Sequence, residues 1–241
     1  MTGAETAVLI VSVLVASTTQ VTVGFGFALL SVPLMALALP TREAVVVSTL
    51  LGLVTSSFQA WHGRRDAERD VVVRMVASAL VGLPLGWLLF TRVDDDVLRA
   101  LLGVSVILAV LLLVTNRVAT GSRRLDVVCG ALSGALASSL STNGPPLVFA
   151  LQARGLSMSA FRPTINTVFT VSGVVALTGF VVSDDVSGDA LIHSLMAIPV
   201  LLLGSRIGFV LRGRVPETGA RRLVLALLAL AGMAAILTSV L

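Results

Sequence analysis

Two short runs of hydroxyl, amide and glycine residues interrupt a chain that is otherwise apolar. They cover residues 17–26 and 138–146, and the second ends with two prolines, Pro145 and Pro146. Non-helical backbone at membrane depth is tolerated only where protein or a water-filled cavity satisfies its polar groups. A helix that restarts there directs its free N–H groups and the positive end of its dipole at whatever lies in front of it. Two such ends facing each other would bind an anion without a fully charged side chain.

The candidate ligands within the two runs are small, and several carry a hydroxyl or an amide: Thr22, Gly24, Gly26, Ser141, Thr142, Asn143 and Gly144. In a later segment, Asn166 and Thr167 would line the same cavity, with Ser48 and Thr49 as their counterparts in the first half. The alternative is that the glycines only permit close helix packing and that the hydroxyls bond to their own helices. We favour the anion site because the two runs form a pair.

Two arginines are candidates for attracting an anion. Arg206 lies inside the end of an apolar segment, between Gly204 and Gly208, and a charged residue within a span is by default a functional hypothesis. It is also close enough to the segment end to reach lipid phosphates instead. Arg162 begins another segment, where an Arg more often serves as an anchor at the cytoplasmic face. We predict that one of the two attracts substrate from the cytoplasm.

Catalytic chemistry finds little support in the sequence. No Asp, Glu or His lies deep within an apolar segment, since Glu43, Asp126 and His193 all fall at segment ends. The sequence has no metal-ligand cluster, no nucleophile paired with a base and no phosphate-binding loop. We therefore predict no catalytic residue, no metal site and no cofactor, and we find no buried carboxylate that would carry a coupled proton or sodium ion.

The composition places these residues in a membrane protein. Of the 241 residues, 56% are hydrophobic and 12% are charged, whereas a soluble domain has roughly 25% charged residues. The pI near 11.1 is typical of a nucleic-acid-binding protein, but the net charge is only +4. All 17 basic residues are Arg, which does not deprotonate, so the pI is no evidence for nucleic acid. The predicted partners are a lipid bilayer and a small anion.

Charges and turn residues divide the chain into eight apolar segments, most of them close to the ~20 residues that cross a bilayer as a helix. The first would be ~54 Å long as one helix, and the first and fifth are interrupted by helix-breaking residues. We predict that these two fold back as hairpins of two short helices. The segments cover residues 4–39, 44–61, 71–91, 97–115, 126–153, 160–182, 190–211 and 222–241.

The distribution of arginines tests this arrangement, because cytoplasmic loops carry an excess of positive charge. If all eight segments cross once, the arginines show no bias between the two sides. If the first and fifth segments enter and leave on one side, four loops share a side and hold twelve Arg, against three opposite. The hairpin arrangement predicts a multi-pass inner-membrane protein with both termini outside the cytoplasm. The shared loops are 62–70, 116–125, 154–162 and 211–222.

An internal repeat indicates the same organisation. We predict two repeats, residues 1–118 and 119–241, each a helical hairpin plus three spans, and the odd number of crossings inverts the second repeat. Inverted repeats with broken helices are typical of secondary transporters, which bind substrate near the midplane between the breaks. We interpret the recurring glycine pairs as close helix contacts. The matching residues are Gly82 and Gly204, Gly86 and Gly208, Arg92 and Arg214, Arg99 and Arg221, Gly26 and Gly144, and Thr49 and Thr167.

Several motifs follow one another in a fixed order along the chain: Gly24-Phe25-Gly26 leading into residues 29–33, Gly130-x-x-x-Gly134, residues 143–147, Phe161-Arg162-x-Thr164, and Gly204-x-x-x-Gly208. With these motifs the sequence resembles the sulfite exporter TauE/SafE family of membrane permeases over essentially its whole length. The resemblance implies transport of sulfite, sulfoacetate or related sulfur-containing or organic anions, commonly in export.

Together these observations predict an all-α polytopic membrane protein that exports a small anion, such as sulfite or a sulfonate, by alternating access. Two alternatives stay open: a permease for a neutral or metal-bearing substrate, and a membrane scaffold that transports nothing. The oligomeric state is left open as well, with a homodimer among the options.

Overall fold

A computed structural model describes residues 3–114, 120–212 and 214, which form nine α-helices and no strand. The helices are α1 (Gly3–Val23), α2 (Phe27–Met35), α3 (Thr41–Gly63), α4 (Arg69–Arg92), α5 (Asp95–Val114), α6 (Arg123–Leu140), α7 (Gly144–Ala153), α8 (Met158–Val182) and α9 (Gly188–Leu211). Five of them, α1, α3, α4, α8 and α9, are long and apolar enough to cross a membrane. The predicted all-α polytopic fold is confirmed. The eighth apolar segment, residues 222–241, lies outside the described residues, as does Arg221.

Both predicted interruptions are confirmed as helix ends inside the protein. Between α1 and α2, Gly24 and Gly26 have φ angles of 106° and 104°, which favour residues without a Cβ. Between α6 and α7, Ser141 takes a left-handed φ of 57°. The helices that follow the breaks, α2 and α7, have nine and ten residues. At about 1.5 Å per residue, each covers only about half of the ~30 Å hydrocarbon core. The helices before the breaks, α1 and α6, have 21 and 18 residues, so the expectation of two short helices in each hairpin is wrong for the first helix of each pair.

The second hairpin begins and ends at one face of the protein. Asp126, in the first turn of α6, is fully buried, so the expectation that the chain has no buried carboxylate is wrong for this residue. Its carboxylate accepts hydrogen bonds from Arg154, directly after α7, at 2.8 and 2.6 Å, and from Arg74 on α4 at 3.0 Å. The loops before α6 and after α7 therefore lie on the same side, as the hairpin arrangement requires. That this side is cytoplasmic stays a prediction.

A second set of charged residues gathers at the opposite ends of the helices. The Asp95 carboxylate, at the start of α5, accepts hydrogen bonds from the backbone N–H groups of Thr41 and Arg42 at 2.9 Å each, which satisfies two of the free donors at the start of α3. Arg42 also lies 3.5 Å from Asp185, between α8 and α9. The acidic turns that contain Asp95 and Asp185 are thus neighbours in the structure.

The recurring glycines pack helices of one predicted repeat against helices of the other. A Cβ at Gly86 on α4 would overlap the carbonyl oxygen of Ala135 on α6, and a Cβ at Gly208 on α9 would lie 2.8 Å from the carbonyl oxygen of Thr18 on α1. The predicted close contacts are therefore confirmed. The contacts between the halves correspond: α4 of the first half packs on α6 of the second half, and α9 of the second half packs on α1 of the first half. Inversion of the second half stays a prediction.

We expect Asp126→Ala to lower the free energy of unfolding by about 3 kcal/mol, because removing one partner of a buried ion pair leaves the opposite charges uncompensated. Unfolding by SDS titration in detergent micelles measures this loss. Asp70→Ala is the matched control, since Asp70 also lies in the first turn of a helix but is exposed, and should change stability by less than about 0.5 kcal/mol. Equal losses in the two variants would contradict a bridging role for Asp126.

Candidate functional site

A cavity with both polar and apolar lining lies between the two helix breaks, bordered by α1, α2, α3, α6, α8 and the turn from α6 to α7. Its volume is about 50 Å³, several times the roughly 10–15 Å³ that a single water needs. Ser48 and Ser56 of α3 line it, at about 10 and 22 Å along a helix of about 34 Å. The cavity therefore lies at mid-depth. Its polar and glycine lining residues are Gln20, Gly26, Ser48, Thr49, Gly52, Ser56, Ser141, Thr142, Asn143, Gly144 and Gly173.

The N-terminal end of α7 opens onto this cavity. Asn143 precedes the helix without capping it through its side chain, and both Asn143 and Gly144 line the cavity. Pro145 and Pro146 occupy the first turn, where their missing N–H groups cost no hydrogen bond. The remaining backbone N–H groups and the positive end of the helix dipole are thus available to an anion in the cavity.

Thr142 carries a buried hydroxyl that makes no hydrogen bond within the described part of the chain. The residue is 1% exposed and lines the cavity. Its neighbour Ser141 differs, because the Ser141 hydroxyl accepts a hydrogen bond from Thr49 on α3 at 3.1 Å. Leaving a buried hydroxyl without a partner costs about 1–3 kcal/mol. The arrangement is therefore suited to a ligand that accepts a hydrogen bond from Thr142.

The first break is closed by a side chain of the protein itself. The Gln20 amide oxygen accepts from the backbone N–H of Phe27, at the start of α2, at 2.9 Å. The Gln20 amide nitrogen donates to Ser56 at 3.1 Å and to Asn166 at 3.0 Å. The sequence led us to expect two comparable helix ends facing the substrate. In the structure one donor at the start of α2 is already satisfied, and the two breaks are not equivalent.

Asn166 holds the backbone of the first break and does not line the cavity. It is fully buried, and its amide nitrogen donates to the carbonyl oxygens of Gly24 at 2.9 Å and of Arg162 at 2.8 Å. The hydroxyls of Thr22 and Thr167 bond within their own helices, to the carbonyl oxygens four residues earlier, at 2.7 Å each. For these two threonines the alternative interpretation, hydroxyls serving their own helix, describes the structure.

The two predicted arginines lie apart from each other. Arg162 donates to the carbonyl oxygen of Thr22 at 2.9 Å and lines a separate cavity beyond the first break. Arg206 is exposed on the surface of α9. Five of the eleven predicted residues therefore line the central cavity, namely Gly26, Ser141, Thr142, Asn143 and Gly144. The other six are Thr22, Gly24, Arg162, Asn166, Thr167 and Arg206.

One polar face of α3 was absent from the predicted ligand set. Ser48, Gly52 and Ser56 recur every four residues, which places them on one face of a helix, and all three line the cavity. Their spacing is visible in the sequence as a stripe of small residues. In the sequence, Ser48 and Thr49 were identified only as the counterparts of Asn166 and Thr167, and Ser56 was not among the matching residues of the repeat.

A family model described as Sulfite exporter TauE/SafE matches residues 9–235. This range includes both breaks, every residue that lines the central cavity and nearly the whole chain. No curated protein and no solved structure matches the chain.

We expect Thr142→Val to leave the thermal stability of the protein unchanged or to raise it, because the substitution removes a buried hydroxyl that has no partner. The same variant should lose part of any stabilisation that sulfite gives to the wild type. Thermal unfolding in detergent, with and without sulfite, measures both effects. Thr178→Val serves as the control because Thr178 is exposed on α8 and should keep the full response to sulfite. A Thr142→Val protein that responds as the wild type does would show that the hydroxyl serves no ligand.

Proposed function

The chain belongs to the sulfite exporter TauE/SafE family of membrane transporters, and on that premise we propose that it exports a small anion such as sulfite, a sulfonate or another organic anion. The anion binds in the central cavity against the start of α7. The observation that carries this proposal is the buried, unpartnered hydroxyl of Thr142 beside a helix N-terminus that its own Asn143 does not cap.

The lining of the cavity suits an anion that must be released again. Its donors are neutral: the Thr142 hydroxyl, the Asn143 amide and the backbone at Gly144. Ser56 accepts from Gln20, which leaves its own proton to donate. No charged side chain lines the cavity among the described residues. A site of dipoles attracts an anion and still lets it leave, which conduction across a membrane requires.

Alternating access is supported by the pattern of helix contacts between the two halves. We propose that residues 1–118 and 119–241 are inverted repeats. The pairing of α4 with α6, of α1 with α9 and of α3 with α8 is the pattern that a two-fold axis through the cavity produces. Rocking of one half against the other would then open the cavity to each side in turn.

The membrane potential alone can drive export of an anion. Moving one negative charge outward is favoured by about 2.3 kcal/mol per 100 mV, so outward transport needs no coupled proton or sodium ion. We place the protein in the inner membrane, with the face that carries Arg74, Asp126 and Arg154 towards the cytoplasm, because the described arginines at the starts of α4 and α6 and directly after α7 and α9 lie on that side.

Sulfite flux in proteoliposomes tests this function. We expect the wild type to move sulfite along an imposed potential, and Asn143→Ala to lower the flux about tenfold, the size expected when one hydrogen bond to a charged group is lost. Gln152→Ala removes an amide from the same short helix at an exposed position and should leave the flux unchanged. Absence of potential-dependent movement for sulfite, sulfate, thiosulfate and sulfonates alike would overturn the proposal.

Single-cysteine labelling tests the orientation. Cys129 is buried and can be replaced by Ala to give a chain without cysteine. A membrane-impermeant maleimide should then label Asp94→Cys and Asp189→Cys in intact cells. It should label Ser157→Cys only after the cells are permeabilised. All three positions are exposed, so access to reagent is decided by the membrane. The opposite labelling pattern would show that the protein is inserted the other way round.

A further inference from the structure

A second, larger cavity lies at the predicted cytoplasmic face, between the end of α3, the start of α8 and the end of α9. We call it the vestibule; its volume is about 280 Å³. Its polar lining residues are Gln59, His62, Asp66, Ser159, Arg162 and Arg212. Two guanidinium groups and one carboxylate thus line the vestibule. The central cavity, in contrast, is lined by no charged side chain among the described residues.

Both guanidinium groups of the vestibule bond to the last turn of α1. Arg162 donates to the carbonyl oxygen of Thr22 at 2.9 Å, and Arg212 donates to the carbonyl oxygen of Val21 at 3.2 Å. These carbonyls lie in the last turn of the helix, where the final four carbonyl oxygens have no helical partner. The arginines therefore hold the end of α1 immediately before Gly24, where the chain leaves helical geometry.

Arg212 makes no ion pair within the described part of the chain. Arg212 is half-buried, and burial together with the nearby charge of Arg162 lowers the pKa of Arg212 to about 10. Arg212 stays protonated at neutral pH. Its hydrogen-bond partners among the described residues are neutral: the Val21 carbonyl oxygen, and the Gln59 amide oxygen at 3.0 Å. Bonds to an ionised acceptor are about twice as strong as bonds to a neutral one, so an anion entering the vestibule competes well for Arg212.

A layer of three amide side chains separates the vestibule from the central cavity. Gln59 lines the vestibule and Gln20 lines the central cavity. Between them the Asn166 amide oxygen lies 3.0 Å from the Gln20 amide nitrogen and 3.5 Å from the Gln59 amide nitrogen. All three residues are at most 5% exposed. These three bonded side chains stand between the two cavities. Each of them carries N–H donors that can hydrogen-bond to an anion as it moves from one cavity to the other.

We infer that the vestibule is a second anion-binding site, in which Arg212 and Arg162 bind the transported anion before the amide layer admits it to the central cavity. This inference rests on the proposed function. When the anion binds, the guanidinium groups give up their hydrogen bonds to the carbonyl oxygens of Val21 and Thr22. The end of α1 is then free to move, and the backbone at Gly24 takes up the change in direction. Because Gln59 bonds to Arg212 and Asn166 bonds to Gly24, the same exchange loosens the amide layer.

The test compares Arg212→Gln with Arg214→Gln in sulfite flux. Both variants lose one positive charge at the end of α9, but Arg214 is exposed and does not line the vestibule. We expect Arg212→Gln to raise the half-saturating sulfite concentration about tenfold, as for one lost charge-assisted hydrogen bond, with a smaller change in the maximal rate. Arg212→Lys, which keeps the charge, should recover much of the affinity. Equal half-saturation in Arg212→Gln and Arg214→Gln would overturn the inference.

A binding measurement separates this inference from the proposed function. In thermal unfolding in detergent, sulfite should stabilise Arg212→Gln less than Arg214→Gln, and this comparison needs no transport. If the wild type moves no anion but Arg212→Gln shows this weaker response, the vestibule site stands and export is wrong. If the wild type transports sulfite and all three proteins respond equally, export stands and the vestibule site is wrong. Folding of each variant is checked by its unfolding midpoint without sulfite.

Discussion

The backbone of residues 24–26 and 141–143 leaves helical geometry inside the protein, and its polar groups must be satisfied there without bulk water. Three polar side chains in the interior serve this requirement. Asn166 binds the carbonyl of Gly24, Gln20 caps the start of α2, and Ser133 donates to the carbonyl of Asn143 at 3.0 Å. Small residues let the helices approach closely enough for these bonds to form. At the second break the Thr142 hydroxyl makes no hydrogen bond within the described residues, and the central cavity lies beside it.

The two breaks differ in what lies in front of the helix that follows each of them. At the first break Gln20 occupies the position in front of α2, whereas at the second break a cavity lies in front of α7 and the Thr142 hydroxyl has no partner. A transporter that alternates between two states needs two unequal arrangements of similar halves. In this structure amides and arginines bond to the polar groups around the first break, whereas the start of α7 at the second break borders the central cavity.

Charged groups lie at the two ends of the helices, and neutral dipoles line the central cavity between them. At one end Asp126 joins Arg74 and Arg154, and at the other Asp95 and Asp185 gather around Arg42. Between these clusters, hydroxyls, amides and helix ends line the central cavity. Such a distribution holds the helices together where water and lipid headgroups can solvate charge.

The sequence by itself determined the helical class, the two interruptions and the close-packed glycines, because apolar length, helix-breaking residues and repeated spacing are local properties of the chain. It also identified five of the cavity residues, all within one residue of a break or inside it. Tertiary structure alone decided which polar side chains bond to the backbone and which line the central cavity. Asn166, Thr22 and Thr142 are all polar residues at or near the breaks or the segments beside them, yet two of them bond to backbone carbonyls, and the hydroxyl of the third has no partner among the described residues. That outcome depends on which helix packs opposite each residue, and partners such as Gln20 and Asn166, 146 positions apart, are brought together only by the fold.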